Sequence, residues 1–244
     1  VTGVQTCALP ILYGELGLLP IGIDVLICVH KYKEHIKSTL PDTLLGLAKS
    51  ECLKTSYITW WQKLVNHEMI INGKQLLPVQ LKGIYKQLFT DKWLNSINDV
   101  NSKLYLYSKI KSHLQFENYL CDIKIGQHRA AFTKLRTSSH NLSIETGRYA
   151  RPKIPKEERL CTECKVIENE QHFLLKCSRF NDERFHLFQK VSDLCPNFPT
   201  LSDPDKFIYL MTAEKKVACE TAKFCYLSFE KRKSILYPNI IYCI

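Results

Sequence analysis

The sequence predicts a mostly α-helical array with a small cysteine- and histidine-rich knuckle embedded in it. Apolar residues recur at spacings of three and four in most of the apolar segments, the period of a helix with one buried face. Pro and Asp/Asn pairs stand where such stripes begin. Cys161, Cys164, His172 and Cys177 crowd into 17 positions late in the chain. With 45% apolar and 11% aromatic residues over 244 positions there is enough material for a core, and 9 Gly with 10 Pro are too few for a low-complexity or collagenous chain.

At the N-terminus, Val1-Thr-Gly-Val-Gln-Thr-Cys-Ala-Leu-Pro-Ile11 resembles the translation of a common sequencing-library adapter, so residues 1–11 are set aside from the fold. Glu15, Pro20 and Asp24 interrupt the apolar run that continues to Val29. It therefore falls short of the roughly 18 apolar residues of a membrane span, and without a basic leading segment it does not read as a secretory signal. Residues 12–122 form a helical connector. Val25, Cys28, Val29, Tyr32 and Ile36 predict a helix over 24–36. Pro41-Asp42 opens a second with Leu44, Leu47, Ala48 and Cys52, and Tyr57, Ile58, Trp61, Leu64 and Val65 mark a third. Asn72-Gly73 signals a turn and Pro78 a boundary. Leu81, Ile84, Tyr85, Leu88 and Phe89 resume the helical period, and Tyr107, Ile110 and Leu114 give one more helix after Ser102.

Residues 123–192 combine a basic helix and loop with the knuckle. Between Lys124 and Arg159 nine Lys/Arg face three acids, which places +6 of the net charge of +10 here. A helix over Ile125–Arg136 sets Arg129, Thr133 and Arg136 on one polar face, opposite Ile125, Phe132 and Leu135. Ser138–Asn141 and Thr146-Gly147 read as loop. A density of positive charge of this kind suits either a solvated face or a phosphate-contacting surface.

Cys161-x2-Cys164-x7-His172-x4-Cys177 carries the chemistry. Three thiolates and an imidazole complete a closed tetrahedral zinc site, and the two-residue gap lets one tight turn offer two sulfurs to the same ion. Four protein ligands leave no open position, so one zinc ion has a structural role. Asn169 is placed to cap a short helix that presents His172 inward. The eleven cysteines are odd in number and mostly isolated among apolar residues. That usage suits an intracellular, reducing compartment, nucleus and cytoplasm, rather than a secreted disulfide scaffold.

Phe180, Phe185, Phe188 and Val191 predict a helix beside the knuckle. Residues 193–235 are C-terminal helices: Asp203-Pro204 supplies an N-cap and first position, and Val217, Thr221, Phe224, Cys225 and Ser228 continue the period. Lys231-Arg232-Lys233 reads as a solvated helix end, and 236–244 as an apolar tail.

Arg129–Tyr149, Ile154–Cys164 and Glu170–Cys177 closely resemble the C-terminal region of LINE-type, non-LTR retrotransposon reverse transcriptases, in which a Cys-Cys-His-Cys zinc knuckle follows the polymerase. Tyr13–Pro20, Phe207–Met211 and Phe229–Arg232 are similar to weaker landmarks of that region. The resemblance implies binding of element RNA or target DNA, with Cys161, Cys164, His172 and Cys177 as zinc ligands and the missing polymerase portion of the same polyprotein as a partner. Reverse transcription requires aspartates that hold two metal ions, and no Asp-Asp pair occurs in this chain. The expected function is therefore binding without polymerase activity. Arg129, Arg136, Arg148, Arg151, Lys153 and Arg159 are the expected phosphate contacts, and Tyr149 is a candidate for stacking on a base. Two other readings stand beside it. One is a zinc-stapled helical module that docks protein. The other is a degenerate restriction-type nuclease built on Pro204, Asp205, Glu214 and Lys216.

Overall fold

The computed structural model describes residues 5–37, 70–71, 74–75, 78–99 and 103–236. The second and third expected helices, over 41–52 and 57–65, lie outside the described residues, as does the tail from 237. The described chain is mostly helical, and its one described sheet pairs Ile70–Ile71 (β1) antiparallel with Lys74–Gln75 (β2), while the expected turn at 72–73 lies outside the described residues. Two compact units are formed, one from residues 17–96 and one from residues 1–16 with 97–244.

In the unit of residues 17–96, helix α2 (Ile21–Lys37) is present, but its buried face differs from the expected one. Ile23 and Ile27, one turn apart, are buried, whereas Val25, Cys28 and Tyr32 are exposed. Both sets fit a helical period, and only the neighbour decides which is covered. Helix α3 (Pro78–Asn98) starts at the expected proline and buries Leu81 and Trp93 while leaving Leu88 exposed. A Lys82–Asp24 ion pair at 2.9 Å links α2 and α3, with both side chains more than half exposed. Such a pair contributes little.

The other unit contains the knuckle. Helix α1 (Gln5–Leu16) runs through the adapter-like residues into Leu12–Leu16. There the Glu117 N–H donates to the Glu15 carbonyl at 2.9 Å, and Leu16 bridges to Phe116. Helix α4 (Tyr105–Ile110) buries Tyr107 and Ile110 but ends at an extended Lys111, which leaves Leu114 outside it. After a single turn, α5 (Tyr119–Asp122), comes α6 (Gly126–Arg136), which is entered from an extended Ile125. Helix α7 (Ser143–Tyr149) absorbs Thr146-Gly147, which the sequence predicts as loop. Helix α8 (Asn181–Leu194) buries Arg184, Leu187 and Val191, and Phe188 meets Phe198 edge to face at 5.2 Å. Phe185, expected in that stripe, points to solvent. Helix α9 (Asp203–Thr212) is capped by Ser202, one residue earlier than expected.

Helix α10 (Lys215–Leu236) is the spine of this unit, packing against α6, α8 and α9. Its buried stripe, Val217, Thr221, Phe224, Cys225 and Ser228, is the one the sequence predicts, extended by Arg232. Around it stands an aromatic core. Phe173 stacks on Phe229 at 4.7 Å and meets Phe180 at 5.0 Å and Phe224 at 5.7 Å edge to face. Each such pair is worth about 0.5–1.5 kcal/mol beyond the area it buries.

Candidate metal centre and basic loop

The knuckle begins as a short antiparallel hairpin in which Leu160 bridges to Ile167. The Cys161 N–H donates to the Val166 carbonyl at 2.7 Å, and the Lys165 N–H returns to the Cys161 carbonyl at 3.0 Å. Closing so tight a loop puts Lys165 at φ 58°, a left-handed conformation that L side chains adopt at a cost. The Lys165 ammonium offsets part of that cost by donating to the Thr162 carbonyl at 2.8 Å. As a result Cys161 and Cys164 turn their sulfurs to the same side.

The other two ligands come from one helical turn. Asn169 caps it as expected, its Oδ1 accepting from the His172 N–H at 2.8 Å. The turn then widens into π-helical geometry over His172–Lys176, so that the Cys177 N–H donates to the His172 carbonyl at 2.8 Å. A π turn rotates each residue less than an α turn does, and this helps to bring Cys177 beside the His172 ring. Arg184 locks the arrangement from α8: its guanidinium donates to the carbonyls of Leu174 (3.0 Å), Phe173 (3.3 Å) and Cys177 (2.7 Å), and to Asn181 Oδ1 at 2.9 Å. These carbonyls end a helical turn and would otherwise be buried without partners. Sequence reasoning misses Arg184, since an arginine in an amphipathic helix carries no mark of being buried.

The ligand atoms of Cys161, Cys164, His172 and Cys177 all lie within 4.8 Å of one another. Sγ of Cys177 is 3.8 Å from that of Cys161 and 3.9 Å from that of Cys164. Metal–sulfur bonds of about 2.3 Å in a tetrahedron separate two sulfurs by about 3.8 Å, whereas a disulfide holds them at about 2.05 Å. His172 is buried, and its Nε2 has no hydrogen-bond partner, an arrangement that costs free energy unless something accepts the lone pair. Burial pushes the His172 pKa below the ordinary histidine value, which keeps the ring neutral and able to ligate. Burial also pushes the Cys177 thiol up to about 12. At Cys164 burial acts in the same sense, but hydrogen bonds from the Ser178 hydroxyl at 3.2 Å and its N–H at 3.4 Å outweigh it and lower the pKa. The four residues fit one metal ion. The donor set of three sulfurs and one nitrogen suits a soft or borderline cation and leaves no position for a substrate.

Two carboxylates tie the knuckle to its surroundings. Glu168 accepts from the Ser143 N–H (2.7 Å) and hydroxyl (2.6 Å) at the start of α7. It also takes both arms of Arg232 on α10, at 2.8 and 2.7 Å. Burial alone would raise its pKa, but the bonds from Arg232 and Ser143 outweigh burial and hold it below the usual carboxylate range. Glu170 accepts from the Ser138 hydroxyl at 2.6 Å and from His140 Nε2 at 3.0 Å. Since His140 Nδ1 accepts from the Leu142 N–H, that ring carries its proton on Nε2.

Of the expected phosphate contacts, Arg136 is in the interior. Its side chain is 1% exposed and pairs with Glu15 at 3.3 Å and Glu117 at 2.7 Å, and it also donates to the Met211 carbonyl. The face that carries Arg129, Thr133 and Arg136 turns toward Tyr119 and Glu15, while Ile125 is exposed. That face is polar because it meets a buried carboxylate, and Arg136 is corrected from a surface contact to a core ion pair. Arg129 donates to the Ile123 carbonyl at 3.0 Å. Arg159 donates to the carbonyls of Ile154 (2.9 Å) and Ile144 (3.0 Å) and lies so close to Gly147 that a Cβ there would come within 2.7 Å of it. Carbonyl acceptors leave the positive charge of both arginines uncancelled. Arg148 pairs with Glu145 at 3.2 Å and keeps 32% of its side chain exposed. Arg151 and Lys153 are exposed on the loop after α7, as is Tyr149 at its end. The structure therefore brings Arg148, Arg151, Lys153 and Arg159 to one segment beside the knuckle and sets Arg129 and Arg136 apart.

Lys231 and Arg232, expected at a solvated helix end, pair instead with Glu183 at 2.9 Å and with Glu168. Pro204 and Asp205 lie in the first turn of α9, where Ser202 donates to Asp205 Oδ2 at 2.5 Å, and Lys216 lies in the first turn of α10. Among the described residues no strand pair joins them. No helix of the described chain is long and apolar enough to cross a membrane. No protein-family model, no curated protein and no solved structure matches the chain.

Proposed function

We propose that this chain binds nucleic acid through the basic loop that the metal knuckle holds in place, as the region beyond the polymerase of a LINE-type reverse transcriptase. One structural zinc ion occupies the Cys161, Cys164, His172 and Cys177 group. The observation that carries the reading is the direct wiring of knuckle to loop. The Ile144 N–H donates to the Glu168 carbonyl at 3.1 Å, and the Glu168 N–H donates to the Arg159 carbonyl at 2.9 Å. Arg159 in turn bonds Ile144 and Ile154 on either side of the loop. Arg148, Arg151 and Lys153 are thus presented on a frame that the metal fixes, and Arg159 adds an uncancelled charge behind them.

Cations on exposed loop positions contact phosphate oxygens, giving affinity that falls with salt and carries little sequence information. Element RNA and target DNA both offer that backbone. Intracellular residence follows from the thiolate ligands, which an oxidising compartment would divert into disulfides. The chain supplies binding, and polymerisation belongs to another part of the polyprotein.

The test is binding of the full, zinc-loaded chain to labelled RNA, single-stranded DNA and duplex DNA across a salt series. The expected result is a linear fall of log affinity with log salt, by about 0.7–0.9 for each phosphate contacted. Arg151→Ala with Lys153→Ala should lower that slope, and Cys164→Ser should weaken binding of all three. A folded, zinc-containing chain that binds none of them at low salt overturns the proposal and leaves the knuckle as a staple for a protein-docking module.

A further inference from the structure

The four ligands of the knuckle differ in how far solvent reaches them. Cys161, His172 and Cys177 are buried, whereas Cys164 is only half-buried. It sits in the hairpin loop among the exposed residues Thr162, Glu163 and Lys165, and its Sγ lies 3.2 Å from the hydroxyl of Ser178, which is also exposed. A metal ion keeps a ligating thiol deprotonated, so Cys164 offers a thiolate at the edge of the site. Oxidants select cysteines by thiolate character and exposure, and a second sulfur close by turns the first oxidation into a disulfide.

Cys177 supplies that second sulfur. Its Sγ is 3.9 Å from that of Cys164, and a disulfide requires about 2.05 Å, so one side must move by roughly 2 Å. Cys177 is the fixed side, because the Arg184 guanidinium holds its carbonyl at 2.7 Å. Cys161 is anchored too, its N–H and its carbonyl both bonded within the hairpin. Cys164 is the side that can give, since its neighbours in the loop face solvent. Arg179, two residues beyond Cys177, ties the two halves together without the metal: its guanidinium donates to Thr162 Oγ1 at 2.8 Å and pairs with Glu163 at 3.6 Å.

We propose that Cys164 is an oxidative modification site at which a small hydroperoxide opens the metal centre, with Cys177 as the resolving sulfur. The Cys164 thiolate attacks the terminal oxygen of the hydroperoxide: the S–O bond forms, the O–O bond breaks, and the departing alkoxide or hydroxide takes a proton from solvent. The Cys177 thiolate then attacks the sulfenic sulfur of Cys164. The S–S bond forms, the S–O bond breaks, and hydroxide leaves to become water. Two sulfurs have supplied the two electrons that reduce the peroxide. Cys161 and His172 alone do not complete a tetrahedral site, so the ion is released, and a dithiol reductant restores the ligand set. Disulfides in a reducing compartment are of this transient kind. The proposal rests on the metal reading above and not on the nucleic-acid one.

The full, reduced, zinc-loaded chain is treated with hydrogen peroxide while a chromophoric chelator reads zinc release. Aliquots are blocked with a maleimide and mapped by mass spectrometry, and a 1,3-dione probe traps sulfenic acid. Zinc should leave in step with the appearance of the Cys164–Cys177 peptide pair, the dione should mark Cys164 ahead of Cys161 and Cys177, and dithiothreitol with added zinc should reverse both changes. Cys164→His keeps a fourth ligand but removes the accessible thiol, so it should hold zinc through the same peroxide dose. If that variant does not take up zinc, mapping of the wild type decides by itself. Cys28 and Cys121 are exposed and lie outside the site, so their oxidation shows that the dose was effective. Zinc retained by the wild type while those two oxidise overturns the proposal, as does release with a Cys161–Cys177 disulfide or equal release from Cys164→His. A reduced chain that takes up no zinc overturns the metal reading with it. Oxidative release from a chain that binds no nucleic acid leaves this site standing and removes the binding function.

Discussion

Cys177 and His172 show most directly how single residues fit this site to a metal ion. A thiol pushed to about 12 and an imidazole nitrogen buried without a partner are both costly alone and both relieved by one cation. Cobalt(II) added to the reduced chain should give the visible d–d bands and thiolate charge-transfer absorption of a tetrahedral site with three sulfur ligands and one nitrogen. His172→Ala and Cys177→Ser should weaken or alter that spectrum, and an unchanged spectrum in both would remove these residues from the site. Arg136 makes a different commitment. Replacing it with Ala leaves the buried Glu15 carboxylate without its cation, although Glu117 keeps its pair with Lys111, and this should cost about 3–5 kcal/mol in urea unfolding. A phosphate-contacting surface arginine would cost almost nothing there. The ligand set was legible because all four residues lie within one short segment, where spacing is geometry. The burial of Arg136 was not, since Glu15 is 121 positions away and no local pattern reports so distant a partner.

Among the elements, helix faces divided by how completely the sequence determined them. The stripe on α10 was legible because it is covered on several sides by α6, α8 and α9, so each apolar position at the helical period is needed. On α2 two overlapping stripes were available, and the buried one, through Ile23 and Ile27, could be chosen only by its neighbour. The π turn was illegible for another reason: one extra residue per turn leaves the same apolar letters in place. Arg184 stabilises that turn by collecting its carbonyls, so Arg184→Met should lower metal affinity about 10–100-fold, as loss of ligand-supporting groups does, measured by competition with a chromophoric chelator. Unchanged affinity would show that the turn holds itself. Between α7 and α10 the joint is Glu168, and its contribution has a pH sign. Because its folded pKa is depressed, the stability it adds is fully present above the ordinary carboxylate range. It is lost as the pH falls through about 4 and toward the folded value. The urea midpoints of wild type and Glu168→Gln should therefore differ clearly at pH 7 and converge as the solution is acidified; a constant gap would mean that the carboxylate charge is not what joins the helices.

At the scale of the molecule, the knuckle belongs to the core of its unit. Phe173, between ligands His172 and Cys177, is fully buried against Phe180, Phe224 and Phe229, and Glu168 and Glu170 reach out to α10, α7 and the loop before it. Metal binding free energy is thereby connected to the packing of α7, α8 and α10 rather than confined to a 17-residue loop. Anything that binds the folded state alone stabilises it by mass action, and for structural zinc that term is large. Chelation should consequently do more than free the hairpin. Amide exchange should accelerate across α7, the His172–Lys176 turn, α8 and the Phe224–Arg232 segment of α10 together, with a matching fall in the thermal midpoint. Helix α2 and residues 78–96 of α3 belong to the other compact unit, so their amides serve as the internal control. If exchange rises only between Leu160 and Cys177, the aromatic core stands without its metal, and the wiring from knuckle to basic loop would have to act through Arg159 alone.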